Sequence, residues 1–254
     1  MSGFNIFLAI MAGIAVIVFF TLYHITAGYG KFVTGKWGIT VNNKLGWVLM
    51  ESPVFILMTI LWICSDRMLQ PAILVIFILF QLHYFQRSFI FPLILKGKGR
   101  MPVAIVAMGA LFNMLNAAMQ GGWLFYVSEP DRYGLQWLCT PQFVCGTIVF
   151  LAGMAINIHS DSVIRHLRKD PADTGHYLPE KGLYRYVTSA NYFGELMEWC
   201  GFALLTWSWA GAVFALWTFA NLVPRSDTIY KRYKTEFKEQ MQEKRLKRIF
   251  PYIY

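Results

Sequence analysis

The chain has 254 residues, of which 56% are apolar, 17% are aromatic and only 15% are charged. A soluble domain typically carries about a quarter of charged residues, so water is not expected to be the solvent for most of this surface. The formal net charge of +9 does not indicate a nucleic-acid-binding protein, because the basic residues cluster in particular loops and in the C-terminal tail. The composition predicts an integral membrane protein.

Seven apolar runs are long enough to be membrane spans of about 20 residues. They are Phe4–Tyr23, Leu45–Cys64, Pro71–Leu95, Pro102–Trp123, Pro141–Ile158, Tyr192–Trp207 and Trp209–Val223. Only Ser208 separates the last two, which leaves their boundary open. We therefore predict an all-α polytopic membrane protein with about seven transmembrane helices, folded as a single domain over residues 1–254.

The distribution of basic residues predicts the orientation. Twenty of the 23 Lys and Arg residues fall in alternate loops and in the tail that begins at Arg225, and only Arg67 and Arg132 fall in the other loops. The positive-inside rule then places the N-terminus outside and the C-terminus in the cytoplasm, which requires an odd number of spans. The bacterial inner membrane and the endoplasmic reticulum both remain open as the source membrane.

Polar residues inside the apolar runs are candidates for function. A carboxylate at mid-bilayer costs about 2.5–3.5 kcal/mol on insertion scales. The presence of Glu51 in span 2 therefore indicates a functional or structural role for its side chain. Tyr84 and Arg87 share a face of span 3, and Glu51 and Tyr84 fall in the same half of the bilayer. The amides of span 4 also share one face, where helix packing and function are both open explanations. These amides are Asn113, Asn116 and Gln120.

Two polar stripes flank the long loop after span 5. One leaves span 5 at positions i, i+4, i+8 and i+11, and the other opens span 6 at i, i+4 and i+7. The stripes are Asn157, Asp161, Arg165 and Arg168, and Asn191, Glu195 and Glu198. The arginines could serve only to mark the cytoplasmic side of the membrane. That explanation does not account for the amides and carboxylates, which lie on one face inside the apolar runs. The pattern favours a polar-ligand site on the cytoplasmic side.

The sequence narrows the kind of ligand. It contains no Gly-x-Gly-x-x-Gly motif and no P-loop, so a phosphate-bearing cofactor would be bound by cationic side chains. Candidates are Arg165, Arg168 and Arg225. The His, Cys and carboxylate residues do not have zinc or di-iron spacing, and a nucleophile elbow is absent. A metal site is therefore not expected.

Several motifs resemble those of the steroid 5α-reductase family, over nearly the whole chain from Gly28. The densest are Asn157-Ile158-His159-Ser160-Asp161, Asp173-Thr174-Gly175, Gly182-Leu183-Tyr184 and Asn191-Tyr192-Phe193-Gly194-Glu195. Those nearer the N-terminus are Gly28-Tyr29-Gly30-Lys31, Glu51-x-Pro53, His83-Tyr84-Phe85-x-Arg87 and Asn116 with Gln120-Gly121. Phe91 and Ile229 depart from the family pattern, since some relatives have polar residues there.

The resemblance implies a seven-helix reductase that uses NADPH to convert 3-oxo-Δ4 steroids to 5α-dihydro steroids. The ketone-binding Glu and Tyr of the family match Glu51 and Tyr84, the candidate catalytic residues, and Asn116 is a further substrate contact. His176 is an alternative to Tyr177, because the spacing differs there by one residue. The cofactor contacts match Arg87, Asn157, Asp161, Arg165, Arg168, Tyr177, Asn191, Glu195, Arg225 and Tyr233. The substrate pocket is then expected mainly in spans 1–4, and the cofactor cleft in spans 5–7 and the cytoplasmic loops.

The expected chemistry agrees with these residue types. Hydride reduction of an enone requires a polarised ketone, so that the charge developing on its oxygen is stabilised. Tyr84 can donate the required hydrogen bond, and Glu51 is expected to orient Tyr84 or to share a proton with it. Hydride would reach the β-carbon, and water or a relay that the sequence does not identify would protonate the α-carbon.

Other functions compete with this hypothesis. A membrane methyltransferase of the isoprenylcysteine type also binds a cofactor among C-terminal helices, and a transporter or proton channel could use buried charges. Transporters often contain inverted repeats, and we find no repeat. The uninterrupted Asn157–Asp161 motif and the pair of Glu51 and Tyr84 favour a reductase. Within that class, another apolar enone or a polyprenol remains an alternative to a steroid entering from the bilayer.

Overall fold

The computed structural model describes residues 2–25, 38–97, 99–168, 173 and 175–254, which are mainly helical. The α-helices of these residues are α1 Gly3–His24, α2 Asn43–Ile63, α3 Pro71–Phe85, α4 Phe91–Ile94, α5 Val103–Gly121, α6 Pro141–Arg165, α7 Ala190–Thr206, α8 Trp209–Glu236 and α9 Lys238–Lys244. The π-helical segments Gln86–Ile90 and Gly122–Val127 continue α3 and α5. The Gly28–Lys31 motif lies outside the described residues.

Five helices of the described residues are long and apolar enough to cross a membrane. They are Gly3–His24, Asn43–Ile63, Pro71–Ile94, Val103–Val127 and Pro141–Arg165. These helices confirm the class of polytopic membrane protein. The sixth and seventh predicted spans fall on α7, which has 17 residues, and on α8, which has 28 and ends in charged residues. The count of seven and the orientation of the termini therefore stay predictions.

The all-α prediction missed a small antiparallel sheet. Strand β1, Thr40–Asn42, pairs with strand β2, Arg100–Pro102. The guanidinium of Arg100 donates to both the hydroxyl and the carbonyl oxygen of Thr40, each at 2.6 Å. Pro102 therefore ends a strand instead of starting the fourth span, because the chain before α5 satisfies its backbone groups in the sheet.

The boundary between α7 and α8, which the sequence left open, is a sharp turn. Trp207 adopts a left-handed conformation with φ 45° and ends α7. The hydroxyl of Ser208 then accepts a hydrogen bond from the Gly211 N–H at 3.0 Å and caps α8. The rings of Trp199 and Phe214 pack edge to face across the two helices, with centroids 4.5 Å apart. The two helices form a hairpin.

The chain divides into two compact units. The first contains Met1–Leu8 and Ala27–Val144, and the second contains Ala9–Thr26 and Cys145–Tyr254. One core of the first unit lies where α2 and α5 meet and consists of Met50, Met101, Ile105 and Val106. The second unit buries large aromatic side chains, among them Phe150, Trp199 and Phe202.

Four glycines bring the backbones of α6 and α7 into direct contact in the second unit. They are Gly146 and Gly153 on α6 and Gly194 and Gly201 on α7, seven residues apart on each helix. A Cβ atom at any of the four would lie 2.3–2.5 Å from a backbone nitrogen of the other helix, closer than real Cβ atoms come. Only glycine allows helices to approach so closely.

We expect Gly153→Ala to lower the thermal unfolding temperature in detergent. The added methyl group would meet the backbone nitrogen of Glu198, and overpacking of this kind typically costs about 1–3 kcal/mol. Gly13→Ala is the matched control, since a Cβ there meets nothing within 4 Å. Its unfolding temperature should be unchanged or higher, because alanine favours a helix over glycine by about 1 kcal/mol. Equal shifts in both variants would contradict the packing role of Gly153.

Candidate active site

In the first unit, two amides of α5 donate hydrogen bonds to the candidate catalytic residues, Glu51 on α2 and Tyr84 on α3. The amide nitrogen of Asn113 donates to the Glu51 carboxylate at 3.0 Å and to the Met50 carbonyl at 2.8 Å. The amide nitrogen of Asn116 donates to the Tyr84 hydroxyl at 2.9 Å. Asn113 and Asn116 are three residues apart and so share a face of the helix. The carboxylate and the hydroxyl are therefore fixed by neighbouring amides of the same face.

The Tyr84 side chain is buried and tightly surrounded. It is 3% exposed, and its ring centroid lies 4.8 Å from the Phe80 centroid and 4.8 Å from the His83 centroid. Asn116 is itself fully buried and accepts a hydrogen bond from Gln120 at 3.3 Å. A hydroxyl oxygen that accepts a hydrogen bond can still donate its own hydrogen. The hydrogen bond from Asn116 is thus compatible with Tyr84 as a hydrogen-bond donor.

The Arg87 guanidinium lies on aromatic rings of the first unit. It is 4.6 Å from the centroids of both Trp47 and Phe91, which pack edge to face against each other. Cation–π contact stabilises a guanidinium in such a place. Phe91, which departs from the family pattern, thus supplies one of the two rings. The role of Arg87 as a cofactor contact stays a prediction.

In the second unit, the structure brings four of the predicted amides and carboxylates together. The Asn157 amide donates to the Asn191 carbonyl at 2.9 Å and to the Glu195 carboxylate at 3.4 Å. The Asn191 amide donates to Asp161 at 3.0 Å and accepts from the Tyr184 hydroxyl at 3.3 Å. These five side chains, which we call the polar network, join the end of α6 to the start of α7.

Tyr184 is the member of the polar network that the residue-by-residue prediction missed. The sequence showed it only within the Gly182-Leu183-Tyr184 motif. It is 1% exposed, and burial, followed by the negative charge of Asp161, raises its pKa well above the usual value. The hydroxyl therefore keeps its proton and donates to Asn191 at any physiological pH.

The residue-by-residue prediction also left out Asn113 of the first unit. Its position on the polar face of span 4 was the signal available in the sequence.

The three arginines predicted to bind phosphate lie in different parts of the second unit. Arg225 donates to the Tyr192 hydroxyl at 2.6 Å. Arg165 is the last residue of α6, so Arg168 does not continue the helical stripe, because the helix ends before it. The exposed Arg168 instead donates to the Gly175 carbonyl at 2.9 Å. This corrects the predicted spacing and leaves Arg168 on the loop that follows α6.

The predicted tyrosines occupy different environments. Tyr177 is exposed, and a hydrogen bond to the Asp173 carboxylate raises its pKa. Tyr233 is buried with Leu178 in an apolar cluster, and burial raises its pKa to about 12. His176, the alternative to Tyr177, lies 3.6 Å from Glu236. Among the residues that the structure describes, no group of three His, Cys, Asp or Glu residues could hold a metal ion.

The comparisons with known proteins agree with the resemblance. Residues 99–254 match the model of the family described as 3-oxo-5-alpha-steroid 4-dehydrogenase. The chain is 38% identical over 239 residues to the protein named steroid 5-alpha-reductase DET2 of Arabidopsis thaliana, covering 92% of this chain and 90% of that protein. It is 35% identical over 228 residues to 3-oxo-5-alpha-steroid 4-dehydrogenase 1 of Homo sapiens, covering 89% and 86%.

These matches confirm the family that the motifs indicated. They favour a reductase over the membrane methyltransferase and transporter alternatives, because every one of these relatives is named for steroid reduction or dehydrogenation. The chain therefore belongs to the 3-oxo-5-alpha-steroid 4-dehydrogenase family, whose members are oxidoreductases of steroid metabolism.

Proposed function

We propose that this protein is an NADPH-dependent reductase that converts 3-oxo-Δ4 steroids to 5α-dihydro steroids, with hydride transferred to C5. The hydrogen bond from Asn116 to the buried Tyr84 hydroxyl carries this proposal. It fixes the oxygen of Tyr84, and we expect the tyrosine hydroxyl to donate to the substrate ketone.

Tyr84 would stabilise the charge that develops on the ketone oxygen during reduction. A donor that is already oriented in a site without water needs no reorganisation, so its effect on the barrier is large. Glu51, held by Asn113, would orient this donor or supply a second hydrogen bond when it is protonated. Asn116, which donates to the Tyr84 hydroxyl, would be a further substrate contact.

The side chains of the second unit suit the groups that NADPH carries. Arginine side chains bind phosphates with paired hydrogen bonds, and carboxylates and amides suit ribose hydroxyls and a carboxamide. When bound, NADPH supplies the hydride. The proposed phosphate-binding residues are Arg165, Arg168 and Arg225, and the proposed residues for the other groups are Asn157, Asp161, Asn191 and Glu195. Arg87, Tyr177 and Tyr233 complete the proposed cofactor contacts.

The membrane helices support an apolar substrate that enters from the bilayer. The Tyr84 ring packs against the rings of Phe80 and His83, and aromatic side chains are common in pockets that take a flat hydrophobic molecule. Relatives from Arabidopsis thaliana and Homo sapiens favour the endoplasmic reticulum over a bacterial inner membrane as the site of this activity.

The purified protein should convert testosterone or progesterone to the 5α-dihydro product when NADPH is present, because both substrates have the 3-oxo-Δ4 system. The product is measured by mass spectrometry against authentic 5α and 5β standards. Binding of NADPH without turnover of either steroid would contradict the steroid assignment, and a polyprenol or another apolar enone would then be tested.

Tyr84→Phe should lower kcat by about 10²–10³, the usual effect of removing one donor to a developing oxyanion. The affinity for NADPH should stay within about twofold, since Tyr84 is proposed to contact only the substrate. Tyr133→Phe is the matched control, because Tyr133 is also a fully buried tyrosine of the first unit but pairs with Trp123. Similar losses of activity in both variants would show that Tyr84 is only structural.

Arg168→Ala should weaken NADPH binding by about tenfold or more, because a charge-assisted hydrogen bond is worth about 1.5–3 kcal/mol. The dissociation constant is measured by titration at two salt concentrations, and its salt dependence should decrease in the variant. Lys234→Ala removes an equal charge from an exposed position of α8 and should leave binding unchanged. An unchanged affinity in Arg168→Ala would refute the assigned role.

A further inference from the structure

The end of the chain pairs with the segment that leads into α7. The N–H groups of Thr188 and Ser189 donate to the carbonyls of Lys247 and Arg248 at 2.9 and 3.1 Å. The Lys247 N–H donates in return to the Tyr186 carbonyl at 2.9 Å. Thr188 and Ser189 are 3% and 1% exposed. Their backbone donors are therefore satisfied by the C-terminal segment, which we define as Lys247–Tyr254, and not by water.

The C-terminal segment is also fixed to α8 by a partly buried ion pair. The Arg248 guanidinium donates to the Asp227 carboxylate at 2.5 Å and lies over the rings of Tyr230 and Tyr254, 4.6 and 4.5 Å from their centroids. Asp227 is 5% exposed. Burial opposes its ionisation, but the hydrogen bonds from Lys231 and Arg248 keep its pKa below the usual value. The pair therefore remains charged at neutral pH.

The apolar side of the segment meets α7 and α8 at the same place. Ile249 is fully buried against Leu222 and Val223 of α8, and Tyr192 of α7 packs on the same cluster. Tyr192 is the residue that accepts the hydrogen bond from Arg225. Asn191, the centre of the polar network, precedes Tyr192 in the chain. The segment thus contacts both helices next to proposed cofactor residues.

We propose that the C-terminal segment positions Asn191 and Arg225 for NADPH, with Arg248 as the positioning residue that anchors it to Asp227. This inference rests on the proposed function. Its physical basis is that the segment makes two kinds of contact at once. It accepts hydrogen bonds from the backbone N–H groups just before α7, and its Arg248 pairs with the Asp227 carboxylate of α8. Loss of the anchor releases the start of α7 and the part of α8 around Asp227, and the polar groups that they carry lose their common geometry.

Arg248→Met in the full-length protein tests the proposal. The dissociation constant and KM for NADPH should rise about tenfold, while kcat at saturating NADPH should change by less than threefold. Lys231→Met is the matched control, because Lys231 pairs with the same Asp227 carboxylate at 2.7 Å from a side chain that is 70% exposed. It should leave the affinity within twofold. Arg248→Lys, which keeps the charge, should restore part of the affinity.

Hydrogen–deuterium exchange of the cofactor-free protein supplies a second readout. The amides of Thr188–Glu195 should exchange faster in Arg248→Met and at the native rate in Lys231→Met. Faster exchange with unchanged NADPH affinity would overturn the proposal, since the segment would then only stabilise the fold. Equal loss of affinity in Lys231→Met would also overturn it.

Failure of the proposed function gives a different result. If the native protein does not bind NADPH, the cofactor assignment fails, and faster exchange in Arg248→Met would show that the anchor acts on α7 without serving that ligand. If Arg248→Met does not fold, the isosteric Asp227→Asn is used for both measurements. It should weaken NADPH binding in the same direction, and native affinity together with native exchange would overturn the proposal.

Discussion

The arrangement of polar groups in the second unit depends on the close approach of α6 and α7. The amide of Asn157 reaches the carbonyl of Asn191 at 2.9 Å because nearby glycines let the two backbones touch. Gly153 and Gly194 lie about one helical turn from this contact, and a side chain at either position would separate the helices. Packing of small residues thus determines where the carboxylates and amides of the polar network lie.

A related constraint acts in the first unit, where buried polar groups must find partners within the protein. Water is scarce among apolar helices, so an unpaired amide or carboxylate would cost several kcal/mol. Asn113 and Asn116 satisfy this requirement by donating to Glu51 and Tyr84. The sequence posed packing and function as alternatives for these amides. In the structure the same hydrogen bonds that join α5 to its neighbours also hold the candidate catalytic groups.

Most helices could be predicted because apolar runs of sufficient length have few other structures available to them. Their ends could not, because local hydrogen bonds decide them. Ser208 caps α8 through its side chain, and α6 stops at Arg165, which removes Arg168 from the predicted stripe. The strands β1 and β2 were missed because three residues are too few to show a periodic pattern, and their pairing joins segments about 60 residues apart.

The sequence by itself determined the membrane class, the family and most of the residues proposed for the site. These depend on composition and on motifs, which are properties of the linear chain. Only the tertiary structure decided which groups meet: Tyr184 with Asn191, Asn116 with Tyr84, and the C-terminal segment with the start of α7. Such contacts depend on how elements that are distant in sequence pack against each other in space. Hydropathy and residue spacing describe each element alone and do not encode that packing.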